Sequence, residues 1–137
     1  MTIFPTFALG PVSLGLFCAP LAAPPASQES FRAVDVYVDS GSSALAAYQV
    51  EVFAVPATAG IAGIEGGDHP AFREPPFYDP RAMQQERVIL AAYSTAPAAE
   101  LPRAKTRVAT IHFQVRGDAP PRFEAALQTA GDAQGNR

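Results

Sequence analysis

The sequence predicts an all-β fold, an antiparallel β-sandwich of the jelly-roll or immunoglobulin-like kind. After residue 30, the 137-residue chain contains several short runs in which apolar and polar residues alternate, which is the period of a strand with one buried face. Turn-forming Gly, Pro, Ser and Asp residues separate these runs. No apolar period typical of a helix extends over ten residues there. Several short strands separated by turns are characteristic of a sandwich.

The N-terminal residues differ in composition from the rest of the chain. Residues 1–26 are apolar and almost uncharged, and their centre, Val12–Leu21, precedes two alanines. This pattern is typical of a secretory signal, although the usual basic start is missing. A buried or lipid-lying segment is the alternative. Because the run is short and interrupted by prolines, we expect no stable membrane-spanning helix.

The boundaries of the folded part follow from composition. Residues 27–30 are predicted to be a linker and residues 31–137 a single domain. The only cysteine, Cys18, lies in the N-terminal segment. The residue immediately before it is Phe17, whereas a lipoprotein signal would carry a small residue at that position. The predicted domain therefore has no disulfide. The predicted location is secreted, periplasmic or within the cell envelope.

Six strands are predicted within the domain. They are Arg32–Asp39, Ala44–Val55, Ile61–Ile64, Arg87–Thr95, Thr106–Arg116 and Arg122–Thr129. In the second strand, one face is predicted to carry Tyr48, Val50, Val52 and Ala54, and the other Gln49, Glu51 and Phe53. This alternation predicts one buried and one outward face.

The strand Thr106–Arg116 has the clearest alternation, and the rest of the domain is expected to pack against it. Its inward face is predicted to carry Ala109, Ile111, Phe113 and Val115. Its outward face is predicted to carry Val108, Thr110, His112, Gln114 and Arg116. His112 is therefore interpreted as an exposed strand residue and not as a catalytic base, which would need a nucleophile and a carboxylate nearby.

A long proline-rich loop separates the third and fourth strands. It spans residues 65–83 and contains aromatic residues that predict a packed segment. Asp79 followed by Pro80 predicts one short helical turn, with Asp79 as its N-cap. Asp68 and His69 are the weak candidates for a metal site in this loop. Their spacing matches neither a calcium loop nor a zinc motif, so no metal, no cofactor and no catalytic residue are predicted.

Charge and aromatic content narrow the classes of partner. The net charge is −3 and no basic run occurs, which argues against nucleic acid. Tyr37, Tyr48 and Tyr93 are candidate binding residues, because exposed aromatic rings on one face would form a platform for a ligand.

Three segments resemble cohesin-type domains. Val34–Gly41 with Ala44–Val52 is similar to the family's opening strands, Phe77–Pro80 to its Tyr/Phe-Asp-Pro segment, and Val108–Val115 to a later strand. The resemblance extends from Arg32 to about Gly135. It implies a jelly-roll-like sandwich and a non-catalytic binding module, with a dockerin-like protein or a polysaccharide as partner. The alternative is a structural or adhesion component of a bacterial envelope assembly.

The C-terminal residues predict a turn that no strand follows. Gly131–Asn136 has the composition of a strand connection. The resemblance implies one more strand here, so the expectation is either a truncated gene product or a sandwich short of one strand, in which a neighbouring strand keeps unpaired backbone groups. Such an edge predicts self-association or strand addition by a partner. The alternative is that no further edge strand is needed.

Overall fold

The computed structural model of the protein describes residues 28–137. The signal-like segment, including Cys18, lies outside these residues. The strands are β1 (Glu29–Asp39), β2 (Leu45–Val55), β3 (Ala59–Gly66), β4 (Arg87–Tyr93), β5 (Lys105–Arg116) and β6 (Arg122–Asp132). Three single 3-10 turns occur at Pro70–Phe72, Pro80–Ala82 and Ala98–Glu100. Between residues 28 and 137, no helix is long and apolar enough to cross a membrane.

The strands form two antiparallel sheets of three strands each. Their orders are β1-β5-β3 and β4-β2-β6, with β5 and β2 at the centres. This architecture confirms the predicted all-β sandwich. The predicted linker is partly wrong, because β1 begins at Glu29, which lies opposite Arg116. β3 is also longer than predicted and includes Ala59, Gly60, Glu65 and Gly66.

The core lies between the inward faces of the two sheets. Its largest fully buried side chains are Phe113, Leu45, Ile61, Leu90 and Ile111. The ring of Phe113 packs against that of Phe123, with the centroids 4.6 Å apart. The predicted inward face of β5 is confirmed, since Ala109, Ile111, Phe113 and Val115 are all buried.

Val108 does not lie on the outward face as predicted. It is fully buried, because a bulge interrupts the pairing of β1 with β5. Val36 lies opposite Ala109 and Tyr37 opposite Arg107, so Val108 is the extra residue and turns towards the core. Thr110 keeps its outward direction but is also buried, since polar side chains described below cover it.

Tyr48 belongs to the core and not to an exposed aromatic row. Only 3% of its surface is accessible. Its ring meets Phe72 edge to face at 5.4 Å, and its hydroxyl donates to the carbonyl oxygen of Val108 at 3.2 Å. Burial disfavours the charged phenolate and raises the pKa of Tyr48 to about 12. The predicted inward faces of Val50, Val52 and Ala54 are confirmed.

The burial of Tyr48 predicts a loss of stability at alkaline pH. The pKa of a tyrosine in the unfolded chain is about 10, whereas the pKa of Tyr48 in the folded protein is about 12. Because folding raises the pKa of Tyr48, this residue makes its full contribution to the free energy of unfolding below the pKa of the unfolded chain. That contribution is lost as pH rises towards the pKa of the folded protein. The free energy of unfolding should therefore fall above about pH 10.

Tyr48→Phe is the matched variant for this effect. The variant should lack this part of the pH dependence. At neutral pH its free energy of unfolding should be lower by about 1 kcal/mol, because the hydrogen bond of the hydroxyl is missing. Denaturant unfolding across the alkaline range measures both quantities. The same alkaline slope in the variant would show that other tyrosines carry the effect.

The long loop covers one side of the sandwich. The backbone N–H of Ile61 in β3 donates to the carbonyl oxygen of Gln85 at 2.9 Å, and that of Gln84 donates to the carbonyl of Ile61 at 2.8 Å. Phe77 exchanges two backbone hydrogen bonds with Ala91 of β4, at 2.8 and 2.9 Å. The loop therefore pairs with the outer edges of both β3 and β4.

The helical turn predicted inside this loop is present. It spans Pro80–Ala82, and the side chain of Asp79 accepts a hydrogen bond from the backbone N–H of Arg81 at 2.9 Å. The guanidinium of Arg81 also binds Asp79 and holds the pKa of that carboxyl below its usual value. The N-cap assignment of Asp79 is confirmed.

Candidate functional site

The outward face of β4 carries exposed apolar side chains. Val88 and Leu90 point into the core, so the alternation of the strand directs Ile89, Ala91 and Tyr93 outward. The loop adds Phe77, whose backbone pairs with Ala91. We call these four residues, Phe77, Ile89, Ala91 and Tyr93, the β4 apolar strip.

The three large side chains of the β4 apolar strip are open to solvent. The exposed fraction is 68% for Phe77, 64% for Tyr93 and 42% for Ile89. The rings of Phe77 and Tyr93 are nearly parallel, at an interplanar angle of 13°, and their centroids are 6.2 Å apart. Two parallel rings and an aliphatic side chain on one strand edge form a continuous apolar surface, a feature typical of interaction sites.

β2, the neighbouring strand, places small and polar residues along one side of this strip. Ala47, Gln49 and Glu51 of β2 lie opposite Tyr93, Ala91 and Ile89, respectively. Glu51 forms an ion pair with Arg87 and accepts a hydrogen bond from the side-chain amide of Gln128 at 3.1 Å. The apolar strip therefore has a polar rim on its β2 side.

A shallow depression of about 280 Å³ adjoins the other side of the strip. It is lined by Phe77, Ala92 and Tyr93 together with the loop residues Pro70–Phe72, Glu74 and Pro75. Glu74 supplies a carboxylate at its margin. The strip and the depression together offer apolar contact on a nearly flat surface and a cavity large enough for one side chain.

The three candidate binding residues, Tyr37, Tyr48 and Tyr93, do not share one exposed face. Tyr37 lies on β1, in the other sheet, where 48% of it is exposed and the ammonium group of Lys105 is 4.8 Å from its ring centroid. Tyr48 is in the core. Only Tyr93 belongs to the exposed apolar surface, and its aromatic neighbour is Phe77.

Asp68 and His69 have protein partners. The guanidinium of Arg107 binds both carboxylate oxygens of Asp68, and this hydrogen bonding holds the pKa of Asp68 below its usual value. The Nδ1 atom of His69 accepts from the backbone N–H of Ala71 at 3.2 Å and so caps the first 3-10 turn. Within residues 28–137, no group of three or more His, Cys, Asp or Glu side chains could hold a metal ion.

The outward face of the β1-β5-β3 sheet is polar, in contrast to the β4 side. The hydroxyl of Thr110 donates to Asp35 at 2.7 Å, and Arg107 donates to Thr110 at 2.6 Å. Arg107 joins Asp35 and Asp68 in one network, which explains why Thr110 is buried. The hydrogen bonds that Arg107 donates to the two carboxylates, to Asp68 first and then to Asp35, raise the pKa of Arg107 above its usual value.

His112 lies on the same polar face, as predicted. Its Nε2 atom is 3.1 Å from a carboxylate oxygen of Glu65, but this buried nitrogen makes no hydrogen bond within residues 28–137. No Ser, Thr or Cys hydroxyl or thiol is hydrogen-bonded to it within the part of the chain described. The imidazole therefore faces a carboxylate on the outward side of the sheet, and the described residues place no nucleophile of a catalytic triad against it.

Comparison of the chain with protein-family models, with curated proteins and with solved structures finds no match. The cohesin-type resemblance stays a prediction.

Proposed function

We propose that the protein is a non-catalytic binding module that docks a protein partner on the β4 apolar strip. The observation that carries this proposal is the exposure of Phe77, Tyr93 and Ile89 together on one sheet edge. Isolated exposed apolar residues are ordinary, whereas a contiguous group with a polar rim marks an interaction site.

The composition of the strip favours a protein as partner. Aromatic side chains are enriched at the centres of protein interfaces, and charged groups are depleted there. The strip has two aromatic rings and one Ile side chain at its centre, and two of the charges at its rim, Glu51 and Arg87, pair with one another. The adjoining depression could accept an anchoring side chain of the partner, as interface pockets do.

The predicted export of the protein indicates where this partner would be found. A signal-like N-terminus and the cohesin-type resemblance favour a secreted, periplasmic or envelope-bound protein with a dockerin-like partner. The net charge of −3 makes nucleic acid an unfavourable ligand. An adhesion role within an envelope assembly would use the same surface and differ in the location of the partner.

A polysaccharide is the second candidate ligand. Its support is the near-parallel arrangement of the Phe77 and Tyr93 rings, since sugar rings stack on aromatic faces. Gln49 lies beside them, opposite Ala91, and its amide can donate and accept hydrogen bonds with hydroxyl groups. The aliphatic side chain of Ile89 offers no ring face on which a sugar could stack, so a protein partner is preferred.

The double variant Phe77→Ala, Tyr93→Ala tests the proposal. The full chain is immobilised and exposed to secreted proteins of the producing organism and, separately, to cellulose, chitin and xylan; the retained ligand is identified and then titrated by calorimetry. Loss of two interface anchors should weaken its binding at least about 30-fold, because such residues cost about 1–2 kcal/mol each or more. Both side chains are exposed, so the melting temperature should change little.

Phe31→Ala is the matched control. Phe31 is 70% exposed but lies on β1, in the opposite sheet, so its removal should leave binding unchanged. Equal binding by the double variant and the parent chain would contradict the proposal. Retention of a polysaccharide but of no protein would select the second candidate.

A further inference from the structure

The two sides of the sandwich differ in how their strand edges are covered. On one side the loop pairs with β3 and β4 through Ile61 and Ala91. On the other side, β1 and β6 lie near one another. Each has 11 residues, and within the described chain each pairs with one strand only. A long strand with an unpaired edge is a template for strand addition.

We propose that β6 pairs with β6 of a second copy of this chain, antiparallel and about a two-fold axis at Ala125. The two β4-β2-β6 sheets would then join into one continuous sheet of six strands. This inference is independent of the proposed binding function, because it uses the opposite edge of the sheet from the β4 apolar strip.

The choice of β6 over β1 follows from their charges. β1 carries Arg32 opposite Phe113, which places a charged side chain on the inward face, and such inward charges protect an edge from pairing. In β6, residues 122–128 contain no lysine and no proline, and the two charged side chains, Arg122 and Glu124, point outward and form an ion pair with one another. Lysine, proline and inward charge, the usual protections of an edge, are absent from that stretch.

A bulge limits the part of β6 that can pair in a regular ladder. Val50 lies opposite Leu127 and Gln49 opposite Thr129, so Gln128 is the extra residue. Inward and outward side chains alternate from Arg122 to Gln128, whose side-chain amide points outward to Glu51, and the alternation breaks at Thr129. The pairing segment is therefore 122–128.

This segment is complementary to itself when the two-fold axis passes through Ala125. Phe123 of one copy then lies opposite Leu127 of the other, and both point inward. Glu124 lies opposite Ala126, and Arg122 opposite Gln128, all pointing outward. Each pair shares a face, and no like charges oppose one another.

Neighbouring registers are less favourable. An axis at Glu124 would place two glutamates directly opposite one another, which is destabilising. An axis at Ala126 would place Phe123 opposite Thr129, beyond the bulge and on the other face. The Ala125 register also covers Leu127, which is 55% exposed although it faces inward.

Sedimentation velocity of the full chain over a wide concentration range tests the proposal. The parent chain should show a reversible monomer–dimer equilibrium. Leu127→Lys places a charge opposite Phe123 of the second copy and should lower the association constant at least tenfold. Leu127 is largely exposed, so circular dichroism and the melting temperature should report a folded variant.

Ile89→Lys is the matched control at the other edge of the same sheet. Ile89 is also exposed, at 42%, and its substitution should leave the dimer intact while weakening binding at the β4 apolar strip. The failure of one proposal is thereby distinguishable from the failure of the other. A parent chain that stays monomeric at millimolar concentration, or that associates equally well with Leu127→Lys, would overturn the inference.

Cross-linking tests the register. In a Cys18→Ala background, Ala125→Cys places two thiols opposite one another at the axis, where Cβ atoms are about 4.5–5.5 Å apart, close to the reach of a disulfide. Mild oxidation should give a covalent dimer of Ala125→Cys and none of Ile89→Cys. Equal cross-linking of both variants would indicate random collision and contradict the proposed axis.

Discussion

Replacing Phe113 by alanine is expected to lower the free energy of unfolding by about 3–5 kcal/mol. The side chain is fully buried at the centre of β5, the middle strand of its sheet. Its ring contacts Phe123 of the facing sheet, so the variant leaves a cavity between the layers. Denaturant unfolding of the parent and variant chains measures the difference.

His112→Ala is the control for this variant. His112 is the neighbouring residue but points outward, and 39% of its side chain is exposed. Its removal should change stability by no more than roughly half a kcal/mol, as for a surface position. Comparable losses at positions 112 and 113 would show that the alternation of β5 has been assigned incorrectly.

Gly66→Ala is expected to lower the free energy of unfolding by about 3 kcal/mol. A Cβ atom at Gly66 would overlap the carbonyl oxygen of Arg73 and lie 2.6 Å from that of Glu74. Both are backbone atoms of the long loop, which cannot rotate away as a side chain would. The variant should therefore displace the loop from the end of β3.

Gly63→Ala is the matched control in the same strand. A Cβ atom there would first meet the Cδ2 atom of His112 at 3.8 Å, an ordinary contact. Its effect on stability should stay within about 1 kcal/mol, because added side chains at compatible positions are tolerated. If the two glycine variants unfold at the same denaturant concentration, the close approach of loop and strand is wrong.

Alternation in the sequence was sufficient to predict the strands and most of their faces. In β2 and β5 the apolar residues recur at every second position, so their inward direction follows from the strand period. The same reasoning failed at Val108, because a bulge depends on the partner strand and leaves no local signal. The candidate platform failed at Tyr48, because its ring shares the buried face of β2 with Val50 and Val52.

The candidate surface was predictable only in part. Tyr93 was identified as a binding candidate, and the alternation of β4 indicates that Ile89 shares its face. Phe77 could not be assigned to this surface, because its position depends on two backbone hydrogen bonds with Ala91 made by a loop without regular structure. Asp68 binds Arg107, which lies 39 residues later in the chain. Local sequence patterns cannot predict a contact over this separation.

Chemical-shift mapping by NMR with the captured ligand tests the central claim, that the β4 apolar strip is the binding surface. The account predicts that the largest shift changes occur at Phe77, Ile89 and Tyr93 and at the adjoining residues of β2. Changes centred instead on Phe31, Tyr37 and the polar face of β5, with β4 unaffected, would contradict it.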